Sequence, residues 1–204
     1  MGEKSTYQTL LKRSEGFYAE KGSKFIGIAL PCASADQAKE LLEAARKEHP
    51  KAGHFCYAYR FGLTGDEYRA NDDGEPSNSA GAPILGQLQS FELTNMLIIV
   101  LRYYGGTKLG VGGLINAYRT GAKDAILAGK IVEREVYEWI NILFEYPDMP
   151  SVMNLIKKHK LEMVENEFEI SCRIKTNLSI NLAQEIITEL DKLDSVKIER
   201  IGTY

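Results

Sequence analysis

The stretch MLIIVLRYYGGTKLGVGG, residues 96–113, decides the fold of the first part of the chain. From Asn95 to Tyr104 it contains an apolar run without alternation, which is typical of a central strand covered on both faces. A glycine-rich loop follows at 105–113. The residues after it predict a helix whose core stripe is Leu114, Ala117, Tyr118, Gly121 and Ala125.

The 105–113 loop is the strongest functional signal in the chain. Five of its nine residues are glycines, and the missing Cβ atoms let a backbone wrap closely around a ligand. The helix start beside it gathers free N–H groups and the positive end of the helix dipole, and Lys108 adds a cation. Phosphate or a nucleic-acid backbone fits such a site. The predicted contacts are Arg102, Gly105, Gly106, Lys108, Gly110, Gly112, Gly113 and Arg119.

A structural interpretation of the same loop stays open, because glycines also permit a tight turn and close packing. The loop lacks the GxxxxGK[ST] pattern of a Walker A motif, and Gly110-Val111-Gly112 does not continue as a dinucleotide fingerprint. The motif therefore indicates an anion site without naming the ligand.

The acidic segment Asp72-Asp73-Gly74-Glu75-Pro76 is the second candidate. Its three carboxylates, Asp72, Asp73 and Glu75, could hold Mg²⁺ against a phosphate. We favour the alternative that Asp73-Gly74 is a turn with solvated acids, and we assign no metal site. Ser79 could cap the helix that follows or contact a ligand.

Three further residues could extend the site. Lys24 and Arg60 would enlarge the basic surface if the fold brings them near the loop, although a solvated strand edge also explains them. His54 could act as a general base, although a structural role at a strand start is more frequent. No Ser-His-Asp order, HExxH or paired histidines occur, so we assign no catalytic residue and expect a non-catalytic protein.

Strands and helices are also predicted before the central strand. Tyr7–Leu11 and Lys24–Cys32 are predicted strands that pair as neighbours, with Glu15-Gly16 and Lys21-Gly22-Ser23 supplying turn chemistry between them. The elements predicted next are a helix around residues 38–45, a strand at His54–Phe61 and a helix at Pro83–Ser90.

A domain boundary is predicted near residues 130–137, where the charge changes sign. Residues 1–134 have a net charge of +2 and residues 135–204 a net charge of −5. The last 70 residues show the order β-α-β-β-α-β, with strands at Leu161–Val164 and Phe168–Lys175 in the middle; Ile170 shares the inward face of the second. We predict two domains, 1–134 and 135–204.

The composition indicates a globular protein and argues against a membrane-spanning or strongly basic one. At 204 residues with 44% hydrophobic residues, the chain can bury a core. Its longest apolar run is too short to cross a bilayer. Three scattered cysteines favour a reducing, cytoplasmic compartment. A net charge of −3 leaves no strongly basic footprint and no DNA specificity, so nucleic-acid binding would need a local patch.

The motifs together resemble the IMPACT/YigZ family. The matching stretches are Lys21-Gly-Ser-Lys24-Phe25, His54-x-Cys56-Tyr57-Ala58-Tyr59-Arg60, Asp72-Asp73-Gly74-Glu75-Pro76, Ser79-Ala80-Gly81-x-Pro83-Ile84-Leu85 and the segment from Gly86 to Gly110. The C-terminal half resembles the small domain that bacterial members carry. The resemblance implies an α+β chain, with a ribosomal protein S5 domain 2-like N-terminal domain followed by a ferredoxin-like βαββαβ domain.

The resemblance also directs the functional hypothesis towards translation. Eukaryotic members regulate translation by competing for the activator of a starvation-sensing kinase, and they carry an additional N-terminal domain for this role. This chain begins almost directly at the IMPACT-type domain, so we do not expect it to act on that kinase pathway. We expect a regulator that binds RNA, the ribosome or a translation factor through the loop. One alternative is an enzyme or binder that acts on a phosphorylated small molecule or nucleotide with Mg²⁺; no other cofactor is predicted. The other alternative is a protein-interaction regulator in which the loop glycines are structural.

Overall fold

The computed structural model describes residues 5–203. They form two compact units, one at Tyr7–Arg134 and one at 135–203 together with residues 5 and 6. None of the helices in the described part of the chain is both long and apolar enough to cross a membrane.

The first unit is built on an antiparallel sheet of five strands. The strands are β2 (Ser14–Glu20), β3 (Ser23–Pro31), β4 (His54–Phe61), β5 (Glu67–Asn71) and β6 (Met96–Tyr103). Their order across the sheet is β2-β3-β6-β4-β5, which places β6 at the centre. Residues 96–101 are all 0% exposed, so the prediction of a central strand covered on both faces is confirmed.

Three helices cover the two faces of this sheet. They are α1 (Ala35–Glu48), α2 (Gly81–Ser90) and α3 (Gly110–Leu127). Ala38 and Ala45 of α1 pack in one core cluster with alternate β6 residues such as Leu97 and Leu101. Ile84 of α2, with Ala117 and Tyr118 of α3, packs in a second cluster with Ile98 and Val100 of β6. The period-2 alternation of β6 therefore divides its apolar residues between two cores.

The first strand pairs differently from the prediction. β1 (Thr6–Leu10) pairs with β7 (Ile131–Glu135), whereas β3 pairs with β2, a strand that contains Gly16. A Cβ on Gly16 would overlap the backbone of Asp124 and Ala125, so this glycine lets α3 approach the sheet. The prediction of a turn there was wrong because close packing, like turning, requires a residue without Cβ.

The second unit has one sheet with two helices packed against it. Its elements are β8 (Tyr137–Glu145), α4 (Met149–Lys158), β9 (Glu165–Phe168), β10 (Ser171–Ser179), α5 (Ile180–Leu190) and β11 (Lys197–Thr203), with a 3-10 turn at Tyr146–Asp148. The order across the sheet is β11-β8-β10-β9. Alternate residues of β8 and β10, such as Ile142 and Ile174, pack with Val152 of α4 and Ile186 of α5.

The middle of this unit departs from the predicted strand bounds. β9 begins at Glu165, so the strand predicted at Leu161–Val164 was wrong. Phe168 pairs with Cys172, which puts Ile170 in the connection between the two strands, where it is 91% exposed. Because Ile170 is apolar, it fits the alternating pattern of a strand, so the sequence did not predict a turn at this position.

Candidate functional site

The glycine-rich loop is held against the β2–β3 connection by backbone contact. A Cβ on Gly105 would overlap the backbone of Gly22 and Ser23, and the N–H of Gly105 donates to the Ser23 hydroxyl at 3.1 Å. Gly110 begins α3 at φ +74°, in the left-handed region, with open space where a Cβ would stand. The first of these glycines serves packing, and the second serves a backbone turn that leaves its surroundings free.

The N-terminus of α3 carries the partial positive charge of the helix dipole and is exposed to solvent. No side chain in the described part of the chain caps it, and its first turn contains no acidic residue. Gly110, Val111 and Gly112 are exposed, and Gly113 is half-buried. The first N–H groups of a helix have no partner within the helix, so here they are available to an anion. Lys108 is exposed beside them and has no ion-pair partner within residues 5–203.

This helix end opens on a cleft of about 560 Å³. The residues that line the cleft are His54, Glu75, Pro76, Arg102, Tyr104, Lys108, Leu109, Gly110, Val111 and Leu114. The lining therefore contains both charged and apolar side chains, and Tyr104 is 56% exposed. The structure brings together Arg102, Lys108 and Gly110 of the predicted phosphate site with His54 and Glu75 of the secondary set.

A buried ion pair forms the floor of the cleft. Arg102 Nη1 lies 2.7 Å from Glu75 Oε1, and the two side chains are 7% and 5% exposed. Tyr118 donates its hydroxyl to the same oxygen at 2.7 Å, and burial raises the pKa of this phenol, so it stays protonated. Arg102 Nε is buried without a hydrogen-bond partner among the described residues. Arg102 thus neutralises Glu75 and retains one donor.

His54 lies at the start of β4, opposite Arg102 of β6. Its Nδ1 is 2.8 Å from the backbone carbonyl of Asp73, and its Nε2 is 4.0 Å from Glu75 Oε1. A carbonyl can only accept, so Nδ1 carries the proton and Nε2 of the neutral ring has a free lone pair.

Asp72 holds the start of α2. Its Oδ1 accepts the N–H groups of Ala80 and Gly81 at 2.9 and 2.8 Å, and its Oδ2 accepts the N–H of Asn78 at 2.9 Å. Ala80 at the N-cap has no side-chain acceptor of its own. The carboxylate therefore caps the helix from outside the helical segment, with the charge that suits a helix N-terminus.

Replacement of Asp72 tests this cap. We expect Asp72→Ala to lower the free energy of unfolding by ~1–2 kcal/mol, because three amide groups lose their acceptor. Asp72→Asn keeps one acceptor oxygen and should lose less. Urea unfolding followed by far-UV circular dichroism measures both; an unchanged midpoint for Asp72→Ala would contradict the capping role.

The three acidic residues do not converge on a common point. Asp73 accepts the N–H of Phe55 at 2.6 Å and pairs with Arg46 at 3.0 Å, while Asp72 and Glu75 have the separate partners described above. Asp73 has φ +41° and precedes Gly74 at φ +86°, as in the turn that the sequence favoured. The prediction of solvated acids was wrong for Glu75, whose side chain is 5% exposed because it pairs with Arg102. These contacts give the Mg²⁺ hypothesis no common ligand set.

Converging ligands occur instead in the second unit. His159, Glu185 and Glu189 offer atoms within 4.8 Å of one another. The Lys158 ammonium already lies 2.6 Å from Glu189 Oε1, so a cation is supplied by the chain itself.

The remaining predicted residues lie apart from the cleft lining. Arg60 is at the opposite end of β4 from His54, where it donates to the carbonyls of Thr64, Gly65 and Leu93. Lys24 on β3 and Arg119 on α3 are exposed. Gly105, Gly106, Gly112 and Gly113 belong to the loop and the first turn of α3 without lining the cleft. Ser79 is buried and donates to the carbonyl of Pro76 at 2.6 Å.

Sequence reasoning missed the partners that organise the site. Tyr118 was assigned to the core stripe of its helix, and its ring is indeed 0% exposed, but its hydroxyl serves Glu75. Ser23 is likewise fully buried and accepts from the loop. A tyrosine on an apolar stripe, which needs a partner for its hydroxyl when buried, was the available signal.

Comparison with known proteins places this geometry in a family. The model of the Impact N-terminal domain matches residues 21–126. The chain is 30% identical over 188 residues to the IMPACT family member YvyE of Bacillus subtilis (strain 168), covering 91% of this chain and 87% of the relative. It is 28% identical over 172 residues to the IMPACT family member YigZ of Escherichia coli (strain K12), covering 83% and 84% of the two chains.

A solved structure extends the similarity to both units. The crystal structure, described as that of a hypothetical protein, superposes with a TM-score of 0.78 at 25% identity and covers 98% of this chain and 99% of its own. Together with the sequence matches, this shows that the chain belongs to the IMPACT family.

Proposed function

We propose that this chain is a translation-linked regulator whose first unit binds RNA at the cleft. The observation that carries the proposal is the uncapped N-terminus of α3, which opens beside Lys108 on a concave surface. Exposed N–H groups, a helix dipole and a mobile ammonium together suit a phosphodiester oxygen. The link to translation comes from the family resemblance described above.

The surroundings of the helix end support a nucleic-acid ligand. Tyr104 at the cleft is 56% exposed, and its ring lies 5.2 Å from the Arg102 guanidinium. An exposed ring beside a phosphate site can stack on a base, which contributes about 1–3 kcal/mol per base in single-strand binding. The Tyr118 ring cannot stack on a base because it is buried.

The finer fold assignment belongs to the same proposal. The strand order β11-β8-β10-β9 with two helices supports a ferredoxin-like second unit, and we assign the S5 domain 2-like fold to the first. The cytoplasmic location is also proposed, because all three cysteines are free and buried, as in proteins of a reducing compartment.

A nucleotide or another small phosphorylated molecule is the second candidate ligand. It is favoured by the size of the site, since a cleft of about 560 Å³ lined by apolar residues together with polar groups is typical of small-ligand sites. Binding of a protein partner without any dependence on anions would favour the third hypothesis, in which the glycines are structural.

Lys108→Ala tests the RNA proposal. We expect the wild-type protein to bind a single-stranded ribo-oligonucleotide in a salt-dependent manner, measured by fluorescence anisotropy. The variant should bind severalfold more weakly, and its plot of log K against log salt should be shallower by about 1, since one phosphate contact is lost. Purified ribosomes in the same salt series test the larger partner.

Lys123→Ala is the matched control. Lys123 is an exposed lysine of α3 that does not line the cleft. Its loss removes the same charge, so both variants should differ equally from the wild type if only net charge matters. Equal effects would contradict a site at the loop, and absence of RNA binding at low salt would overturn the proposal and leave nucleotides to be tested.

A further inference from the structure

The surroundings of His54 leave one ring nitrogen free in a fixed position. Its Nδ1 donates to the Asp73 carbonyl at 2.8 Å, and the Asp73 carboxylate is itself held by the Phe55 N–H at 2.6 Å and by Arg46 at 3.0 Å. These contacts fix the ring and its tautomer. In the neutral ring Nε2 is then a hydrogen-bond acceptor, on a side chain that lines the cleft and is 31% exposed.

A carboxylate oxygen close to this nitrogen is also an acceptor. Glu75 Oε1 lies 4.0 Å from His54 Nε2, and Arg102 and Tyr118 donate to that oxygen from the protein side, each at 2.7 Å. Two acceptors cannot bond to each other, but a water oxygen placed ~2.8 Å from both would subtend about 90°, near the angle between its two protons. The pair is spaced to hold one water molecule.

The donors to a phosphate face the same cleft. No side chain among residues 5–203 caps the N-terminus of α3, Lys108 is exposed beside it, and Arg102, 6% exposed, has a buried Nε without an acceptor among the described residues. The lining of the cleft thus combines groups that bind an anion with the proton acceptor of His54.

We propose that this cleft hydrolyses a phosphate ester, with His54 as the base that takes a proton from the attacking water. Since the inference rests on the proposed function, the substrate class is the phosphodiester of single-stranded RNA. The water oxygen forms a bond to phosphorus, and the bond from phosphorus to one ribose oxygen breaks. One proton of the water passes to His54 Nε2, and the departing alkoxide takes a proton from solvent at the cleft mouth. His54 then releases the proton on Nε2 to solvent. Glu75 orients the water and stabilises the imidazolium.

The experiment measures cleavage and binding separately in the full chain. A fluorescent single-stranded ribo-oligonucleotide and bis(p-nitrophenyl) phosphate serve as substrates for the wild type, His54→Asn and His54→Gln. The Asn amide can still donate to the Asp73 carbonyl, so this variant keeps the loop contact while losing Nε2. His159→Gln, a histidine change in the second unit, is the control for purity and handling.

We expect both His54 variants to lose about 10²–10⁴-fold in hydrolysis rate, a loss much larger than any change in RNA affinity. In H₂¹⁸O the phosphate end of the product should carry one ¹⁸O atom. Circular dichroism checks that the variants fold; if Gln disrupts the loop, Asn decides.

The possible results separate this inference from the proposed function. RNA that is bound but not cleaved by the wild type would overturn the inference and leave RNA binding intact. His54-dependent hydrolysis of the small diester without RNA binding would sustain the catalytic role and overturn the RNA ligand. No hydrolysis of either substrate, cleavage that is unchanged in His54→Asn, or a product without ¹⁸O would each overturn the inference.

Discussion

Glu75→Ala should be the most destabilising change at the site, with a loss of ~3–5 kcal/mol in the free energy of unfolding. The Arg102 guanidinium would remain buried at 7% exposure without its carboxylate, and the Tyr118 hydroxyl would lose the acceptor 2.7 Å away. A buried charge without a partner costs far more than the pair contributes when intact. Urea unfolding followed by far-UV circular dichroism measures the loss; Trp139, the single tryptophan, lies in the second unit and does not report on the first.

An exposed pair in the same unit provides the control. Arg13 lies 2.9 Å from Glu48, with side chains 39% and 47% exposed, and Arg13→Ala should cost at most about 1 kcal/mol. The double variant Glu75→Ala/Arg102→Ala should lose less than the sum of its two single variants, because no lone charge is left behind. Additive losses, or a Glu75→Ala effect no larger than that of Arg13→Ala, would contradict the buried ion pair.

Gly27→Ala is expected to have the second largest effect, ~3 kcal/mol of destabilisation from overpacking. Gly27 lies in β3 under α3, and a Cβ there would overlap the Gly121 carbonyl oxygen. That oxygen belongs to helix backbone, which cannot move aside as a flexible side chain can. Gly27 has no left-handed φ, so the cost comes from packing alone. Because α3 must shift, the RNA binding proposed at its N-terminus should weaken as well.

Gly86→Ala is the matched control for this change. Gly86 lies inside α2, with open space where a Cβ would stand. Alanine there should stabilise the protein by ~0.5–1 kcal/mol, since it restricts the unfolded chain and favours the helix. Opposite signs for the two glycine substitutions are the expected result in the same unfolding assay. A neutral Gly27→Ala would contradict the close approach of α3 to the sheet.

Local patterns predicted the elements whose sequence period is unbroken. The apolar run of β6 and the 3.6-residue stripe of α3 predicted a central strand and a packed helix, because burial on two faces or on one requires those periods. The order of helices and strands in the second unit also followed from alternation. The strand β2 was not predicted, because Gly16 also suits a turn. Ile170 was predicted inside a strand because it is apolar, but it lies in the connection between two strands.

The candidate site was only partly accessible to such reasoning. The glycines and Lys108 marked the loop at the start of α3 as a candidate anion site, since backbone exposure and a helix start are local features. The acidic segment was considered as a group, yet its carboxylates have three different roles, since Asp72 caps α2, Asp73 holds the loop and Glu75 pairs with Arg102. Those roles depend on which donors the fold brings near, and the donors lie up to dozens of residues away in the chain.

By itself, the sequence determined the family, the helical and strand periods, and the loop that exposes backbone N–H groups at a helix start. Only the tertiary structure decided that Tyr118, Arg102 and His54 surround Glu75, and that β1 pairs with β7. The physical reason is the range of the interactions. Propensity, period and backbone freedom act between residues close in the chain, whereas pairing of strands and satisfaction of buried charge act between residues that meet only after folding.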